Sequence, residues 1–228
     1  MFRPYIAALA LTAALAPAVF AATEADKRLD AGVDLMTDMM NASDKGVPQD
    51  LLNKSYCVVL VPGLKKAGFI VGAKYGRGFA FCRHASGMGW TAPAAIRIEG
   101  GSVGFQIGAS EQDILLLVMS ESGMKHLLAD KFTVGADATA AAGPVGRDAS
   151  AQTDAVMRAE MLSYSRSRGL FAGISLEGAT LRPDADANEE MYGKKLENKE
   201  ILTGDVKPPA AAAKLETLLN KNSSRRTR

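Results

Sequence analysis

Glycine constrains this chain more than any other feature. Of its 22 glycines, 18 lie between Gly63 and Gly178, interleaved with short β-branched and apolar runs. A glycine in a helix interior costs ~1 kcal/mol relative to alanine, so this region is unsuited to long helices. Short β-rich runs bounded by turn residues read as strands. The runs fall at 56–61, 68–73, 78–83, 90–98, 103–108 and 114–119, and turn signals lie at Pro62-Gly63, 74–77, Ser86-Gly87 and Gly100-Gly101. Connections this short make neighbouring strands antiparallel. The run Ile114 to Met119 has no polar alternation and reads as a central strand covered on both faces. Val103, Phe105 and Ile107 alternate with Gly104, Gln106 and Gly108, which leaves one face nearly bare for close backbone approach. Further strands are expected at 131–136, 155–165 and 169–181.

Helical patterns flank this region. Leu29, Val33, Met36 and Met40 follow helical spacing across 23–41, with Leu35 and Met39 widening the stripe. The polar side carries Asp30, Asp34 and Asp38, whereas helices lying on membranes usually carry Lys and Arg there. The spacing therefore predicts a helix packed on the sheet. Shorter helices are expected at 48–54, 120–130, 186–192 and 210–220. Together these elements predict an α+β fold: a twisted antiparallel β-sheet meander with covering helices.

Residues 1–21 read as a secretory signal: Arg3, an apolar run from Ile6 to Ala16, Pro17, then Val19 and Ala21 at the −3 and −1 positions of a cut. The expected location is periplasmic or secreted, peripheral to a membrane. The body is then 23–193, followed by 194–228, a linker at Pro208-Pro209, a short helix and a basic tail. That tail, KNSSRRTR, reads as a solvated terminus.

The 27 basic and 25 acidic residues nearly cancel, which argues against a broadly basic nucleic-acid binder. His84 and His126 lie apart, without metal-ligand spacing, so neither a metal nor another cofactor is expected. The run Gly173 to Gly178 resembles a nucleophile elbow around Ser175 but is one residue too long. The glycine-rich runs 72–78 and 101–108 lack both the P-loop and the dinucleotide fingerprint. The reading is not an enzyme; a pocket gathering Arg166, Glu177 and Asp113 would reopen that question. Cys57 and Cys82 are either a disulfide closing a loop of ~25 residues, adding about 3 kcal/mol, or two buried thiols; strand pairing decides.

Several segments in series carry a family resemblance. They are 65–69 leading to Gly78, 90–96 (WTAPAAI), 104–108 (GFQIG), 142–147 (AGPVGR), 163–173 (SYSRSRGLFAG), 175–178 (SLEG), Ala187-Asn188 and Tyr192-Gly193. In this order the chain resembles the SYLF domain, also known as an actin-binding domain of fungal endocytic proteins. The resemblance spans about residues 26–193. It implies a non-catalytic module that binds anionic lipid, as phosphatidylinositol-type or other acidic phospholipid. An exported member would meet no actin, so actin binding is not expected to transfer. The candidates for head-group contact are Lys65, Lys66, Lys74, Arg77, Arg147, Tyr164, Arg166 and Arg168. Arginine supplies forked donors for phosphate, and tyrosine an amphipathic ring. Lys27 and Arg28 match the basic amphipathic N-terminal segment of the eukaryotic domain. The alternative function is a structural or protein-interaction module of the envelope. The sequence leaves oligomeric state open.

Overall fold

The computed structural model describes residues 22–42, 46–146, 156, 158–167 and 170–227, with the side chains of 69–71 and 102–108 excepted. Its centre is one long antiparallel hairpin. Strand β1 (Cys57–Cys82) pairs with β2 (Ala94–Val118) from Cys57 opposite Val118 to Ala80 opposite Ala94. The six short runs expected from the sequence are thus two strands. The signals at 74–77 and Gly100-Gly101 are strand residues. Pro62-Gly63 is a bulge, with Gly63 at φ +66°, and the only true reversal among these runs is at 83–93.

The free edge of β2 is shared. Strand β7 (Ala179–Pro183) pairs with residues 96–100 and β5 (Met161–Ser167) with 113–118. Strand β3 (Phe132–Thr133) extends the β7 side, while β4 (Ala140–Ala142) and β6 (Leu170–Gly173) flank β5. Among the described residues this makes a seven-stranded sheet. All pairs are antiparallel except β4 with β5, which run parallel, so the sheet is mixed at that edge. The strand expected over 155–165 begins only at Met161; Val156 and Arg158 are helical. The α+β class, a sheet with covering helices, holds.

The long hairpin curls until β1 meets itself. The Arg83 amide donates to the Tyr56 carbonyl at 2.8 Å, and Cys57 and Cys82 form a disulfide with Cα atoms 4.0 Å apart. A Cβ on Gly78 would lie 2.0 Å from the Leu60 carbonyl oxygen, so only glycine fits at the crossing. Two cores follow from the strand alternation. Cys57, Val59, Val61, Ile96, Ile98, Ile114, Leu116 and Val118 point into the curl. Val58, Leu60, Phe79, Phe81, Leu115 and Leu117 point outward, under the helices. Ile114 to Val118 is buried along its length, as expected for a strand covered on both faces.

Helix α1 (Glu24–Asn41) opens on a capping box between Thr23 and Asp26 and lays Leu29, Leu35, Met36 and Met39 on the outer core. Helices α2 (Gln49–Lys54) and α6 (Ala213–Asn222) join it there, the latter through Leu215 and Leu219. Helix α3 (Glu121–Leu127) follows β2 on a Ser120 cap. Helices α4 (Ala185–Tyr192) and α5 (Asn198–Thr203) close the inner core, where α5 buries Ile201 and Leu202.

The C-terminal residues are docked rather than frayed, because they satisfy groups the hairpin turn leaves open. Buried Arg83 lies over the Trp90 ring and donates to the Ser223 carbonyl and hydroxyl, and the Trp90 indole donates to the same carbonyl. Burial, then repulsion from Arg226, pulls the Arg83 pKa down to about 10. Arg226 covers the Tyr56 ring, and the Thr227 amide donates to Asn53.

Candidate binding cleft

The N-terminal turns of α1 face the bulged part of β1 across a cleft of about 450 Å³. Lys27, Arg28, Lys65 and Arg77 line it against Glu24, Glu111 and Asp113, with Tyr75 and Pro62 completing the walls. Strand period places Lys65, Tyr75 and Arg77 on this side, and the capping box fixes where Lys27 and Arg28 begin their turn. The Gly63 bulge is anchored by its amide donating to Asp113 Oδ1 at 2.8 Å.

The charges in the cleft are unequally engaged. Arg77 holds Asp184 through two hydrogen bonds, one of 2.8 Å from Nη2. Burial would raise the Asp184 carboxyl, but the Arg77 bonds and charge win and hold it below the usual carboxylate range. Lys27 pairs with Glu24 at 2.7 Å. Arg28 is half-buried and, among the described residues, has no carboxylate at ion-pair distance. Burial first, and then repulsion from Arg77, lowers its pKa, against weaker attraction from Asp184, Glu24 and Glu190. Lys65 is exposed and likewise without an ion pair among the described residues.

The residues expected to meet a head group separate into three settings. Lys65 and Arg77 share the cleft. Lys66 and Lys74 lie on the alternate side of β1. There Lys74 is buried, donates to the Glu177 carbonyl at 3.1 Å, and is pushed below the usual lysine range by burial and then by Lys66. Leu162, Tyr164 and Arg166 do share one strand face, as period two requires, but that face turns toward α1. Tyr164 is buried in the outer core, its hydroxyl without a hydrogen-bond partner among the described residues, and burial raises the phenol. Gly143 lies against its ring, where a Cβ would come within 2.0 Å.

Arg166 bonds Asp38 on α1 and Asp113 on β2, the latter from Nε at 2.7 Å, and so ties helix to sheet rather than facing solvent. Glu177 lies instead beside Gly135 and Lys74. Arg147 and Arg168 fall outside the described residues. Tyr75 was missed by the sequence reading; its place between Lys74 and Arg77 on an alternating strand is the signal that would have found it.

A larger depression of about 840 Å³ lies among α3, α4 and α5. Asp130, Asp186, Glu189, Glu197 and Glu200 outnumber Lys195 and Lys199 there, so it repels anions. Among the described residues no group of His, Cys, Asp and Glu is arranged to hold a metal ion, and no helix is long and apolar enough to cross a membrane.

The curled sheet and its covering helices leave a cleft lined by four basic and three acidic side chains, and similarity to known proteins says to which family such a chain belongs. Residues 99–222 match the family model described as Ysc84, Las17-binding protein actin regulator. The chain is 37% identical over 177 residues to an SH3 domain-containing protein of Schizosaccharomyces pombe, covering 76% of this chain and 41% of that one. It is 35% identical over 181 residues to SH3 domain-containing YSC84-like protein 1 of Rattus norvegicus, covering 79% and 53%. With LAS seventeen-binding protein 3 of Saccharomyces cerevisiae it shares 32% over 180 residues, covering 78% and 39%. The chain belongs to the Ysc84 family, that of the SYLF domain. It spans about half or less of the length of these relatives.

Proposed function

We propose that this protein is a non-catalytic lipid-binding module of a bacterial envelope, holding anionic phospholipid head groups in the cleft between α1 and β1. The observation that carries this is Arg28, a half-buried guanidinium beside Arg77 with, among the described residues, no carboxylate at ion-pair distance. A phosphate entering the cleft relieves that repulsion and accepts forked hydrogen bonds. Lys65 adds a cation at the mouth, and Tyr75, 46% exposed, an amphipathic ring. Two of the three acids lining the cleft are already engaged, Glu24 by Lys27 and Asp113 by Arg166.

The export-type segment 1–21 and the Cys57–Cys82 bridge support an oxidising compartment, periplasmic or secreted. There the chain meets phospholipid but no actin. The purified protein should sediment with phosphatidylglycerol vesicles and not with phosphatidylcholine vesicles, and salt should weaken the binding. Arg28→Ala with Lys65→Ala removes two contacts of ~1 kcal/mol each, so affinity should fall about tenfold or more. Equal sedimentation with both vesicles, or an unchanged double variant, would reject the cleft. The second reading is a protein-interaction module of the envelope, favoured by the acidic depression beside α4 and α5. Capture of a basic partner without vesicle binding would select it.

A further inference from the structure

The middle of the long hairpin has no third strand. Strand β7 leaves β2 at Gly100, and β5 joins it only at Asp113. Residues 65–73 and 101–111 therefore pair only with each other, as a two-stranded ribbon whose outer edges are unpaired among the described residues. The register shifts between Gly68, opposite Gly108, and Ile70, opposite Gly104, so the ribbon bulges at its centre.

Charge is withdrawn from this ribbon. No Asp, Glu, Lys or Arg occurs in 67–73 or 100–110, whereas Lys65, Lys66 and Lys74 bound one strand and Glu99 and Glu111 the other. Phe69, Ile70, Val71, Val103, Phe105 and Ile107 occupy the uncharged stretch. Described neighbours on both strands, Ala67, Gly68, Ala73, Gly101, Ala109 and Ser110, are exposed. Strand β5 pairs Arg166 with Asp113, which puts the C-terminal end of β5, and Leu170 paired with Ser167, at the same end of β2. Leu170, 63% exposed, opens β6 there.

Two strands alone are marginal in water, and proteins usually blunt open edges with charge. An uncharged centre with lysines at its borders suits a lipid interface instead. Apolar residues enter the acyl boundary there while the Lys65 and Lys66 ammonium groups stay at head-group depth; Lys74, buried against the Glu177 carbonyl, takes no part. Unpaired edges could not be satisfied deep in hydrocarbon, so the fit is to shallow insertion rather than a span.

We infer that the ribbon 65–73/101–111 is an insertion finger that wedges shallowly into an anionic bilayer beside the head-group cleft. Lys65 and Glu111 belong to both, so the two surfaces are continuous. The inference rests on the head-group reading and adds an apolar anchor to its electrostatic one. Stable membrane attachment generally needs two such signals.

The test uses the full chain carrying Phe105→Trp, with phosphatidylglycerol vesicles whose acyl chains are brominated. The native Trp90 is 5% exposed, and the unsubstituted chain is the control. Insertion predicts quenching and a blue shift of the new tryptophan, absent in the control. Phe105→Asp should weaken vesicle binding about tenfold or more, with an unchanged circular dichroism spectrum. Val103→Trp, two positions away in the same strand alternation, repeats the probe should Phe105→Trp fail to fold. Sedimentation of the variant with an unquenched tryptophan would overturn the finger and leave the cleft standing. Failure of the unsubstituted chain to sediment would overturn both. A blue shift without lipid, at the mass of a dimer, would overturn the finger by showing that a second copy covers the ribbon.

Discussion

Glu216 on α6 carries a buried Oε1 with no hydrogen-bond partner among the described residues, and burial raises its pKa from 4.5 to about 7. The folded state therefore holds this proton more tightly than the unfolded chain does. The stabilisation is fully present below pH 4.5 and is lost as pH rises toward about 7. Glu216→Gln should flatten the melting temperature between pH 5 and pH 8 and raise it at the upper end, measured by thermal unfolding across that range. An unchanged pH profile would show that Glu216 is solvated. At this scale the sequence is a partial guide. Period two sets Leu162, Tyr164 and Arg166 on one face of β5, yet what that face meets depends on the distant α1. Asp34 and Asp38 on that helix were legible only as acids; their part in holding Arg166, through the Asp34 carbonyl and the Asp38 carboxylate, needs the folded chain.

Among the elements, the long strands depart most from the sequence pattern. Glycine and lysine clusters that resemble turns lie inside β1 and β2, because a strand that curls back on itself needs positions without a side chain. Gly78 is such a position, with Leu60 backbone where its Cβ would go. Gly78→Ala should destabilise the fold by about 2–3 kcal/mol in urea unfolding, as overpacking of a rigid contact does. Gly101→Ala is the comparison: the nearest atom to its Cβ is 4.0 Å away, and little change is expected. Equal effects would mean that the crossing relaxes freely. The pairing of Cys57 with Cys82 was open at the sequence level for the same reason, since nothing local says that one strand's two ends meet.

Over the whole molecule, the α+β class and the family were legible, because the composition shift and the serial motifs span most of the chain. The role of 194–227 was not. A Pro-Pro dipeptide and short amphipathic stretches read as an appendage, yet Ile201 and Leu202 enter the inner core and Leu215 and Leu219 the outer one. Lys65 and Arg77 of the basic cleft were named from the sequence, but at separate turns rather than on one strand face, and Arg28 comes from a distant helix. The Cys57–Cys82 bridge makes residues 57–82 a covalent ring, with exposed Lys65 on its rim. Trypsin cutting there should leave a single band on a gel run without reductant and two fragments once thiol is added. Vesicles that shield the ribbon should slow the appearance of those fragments. A nicked molecule can thus keep its strands in register, and its backbone need not be continuous to stay one particle.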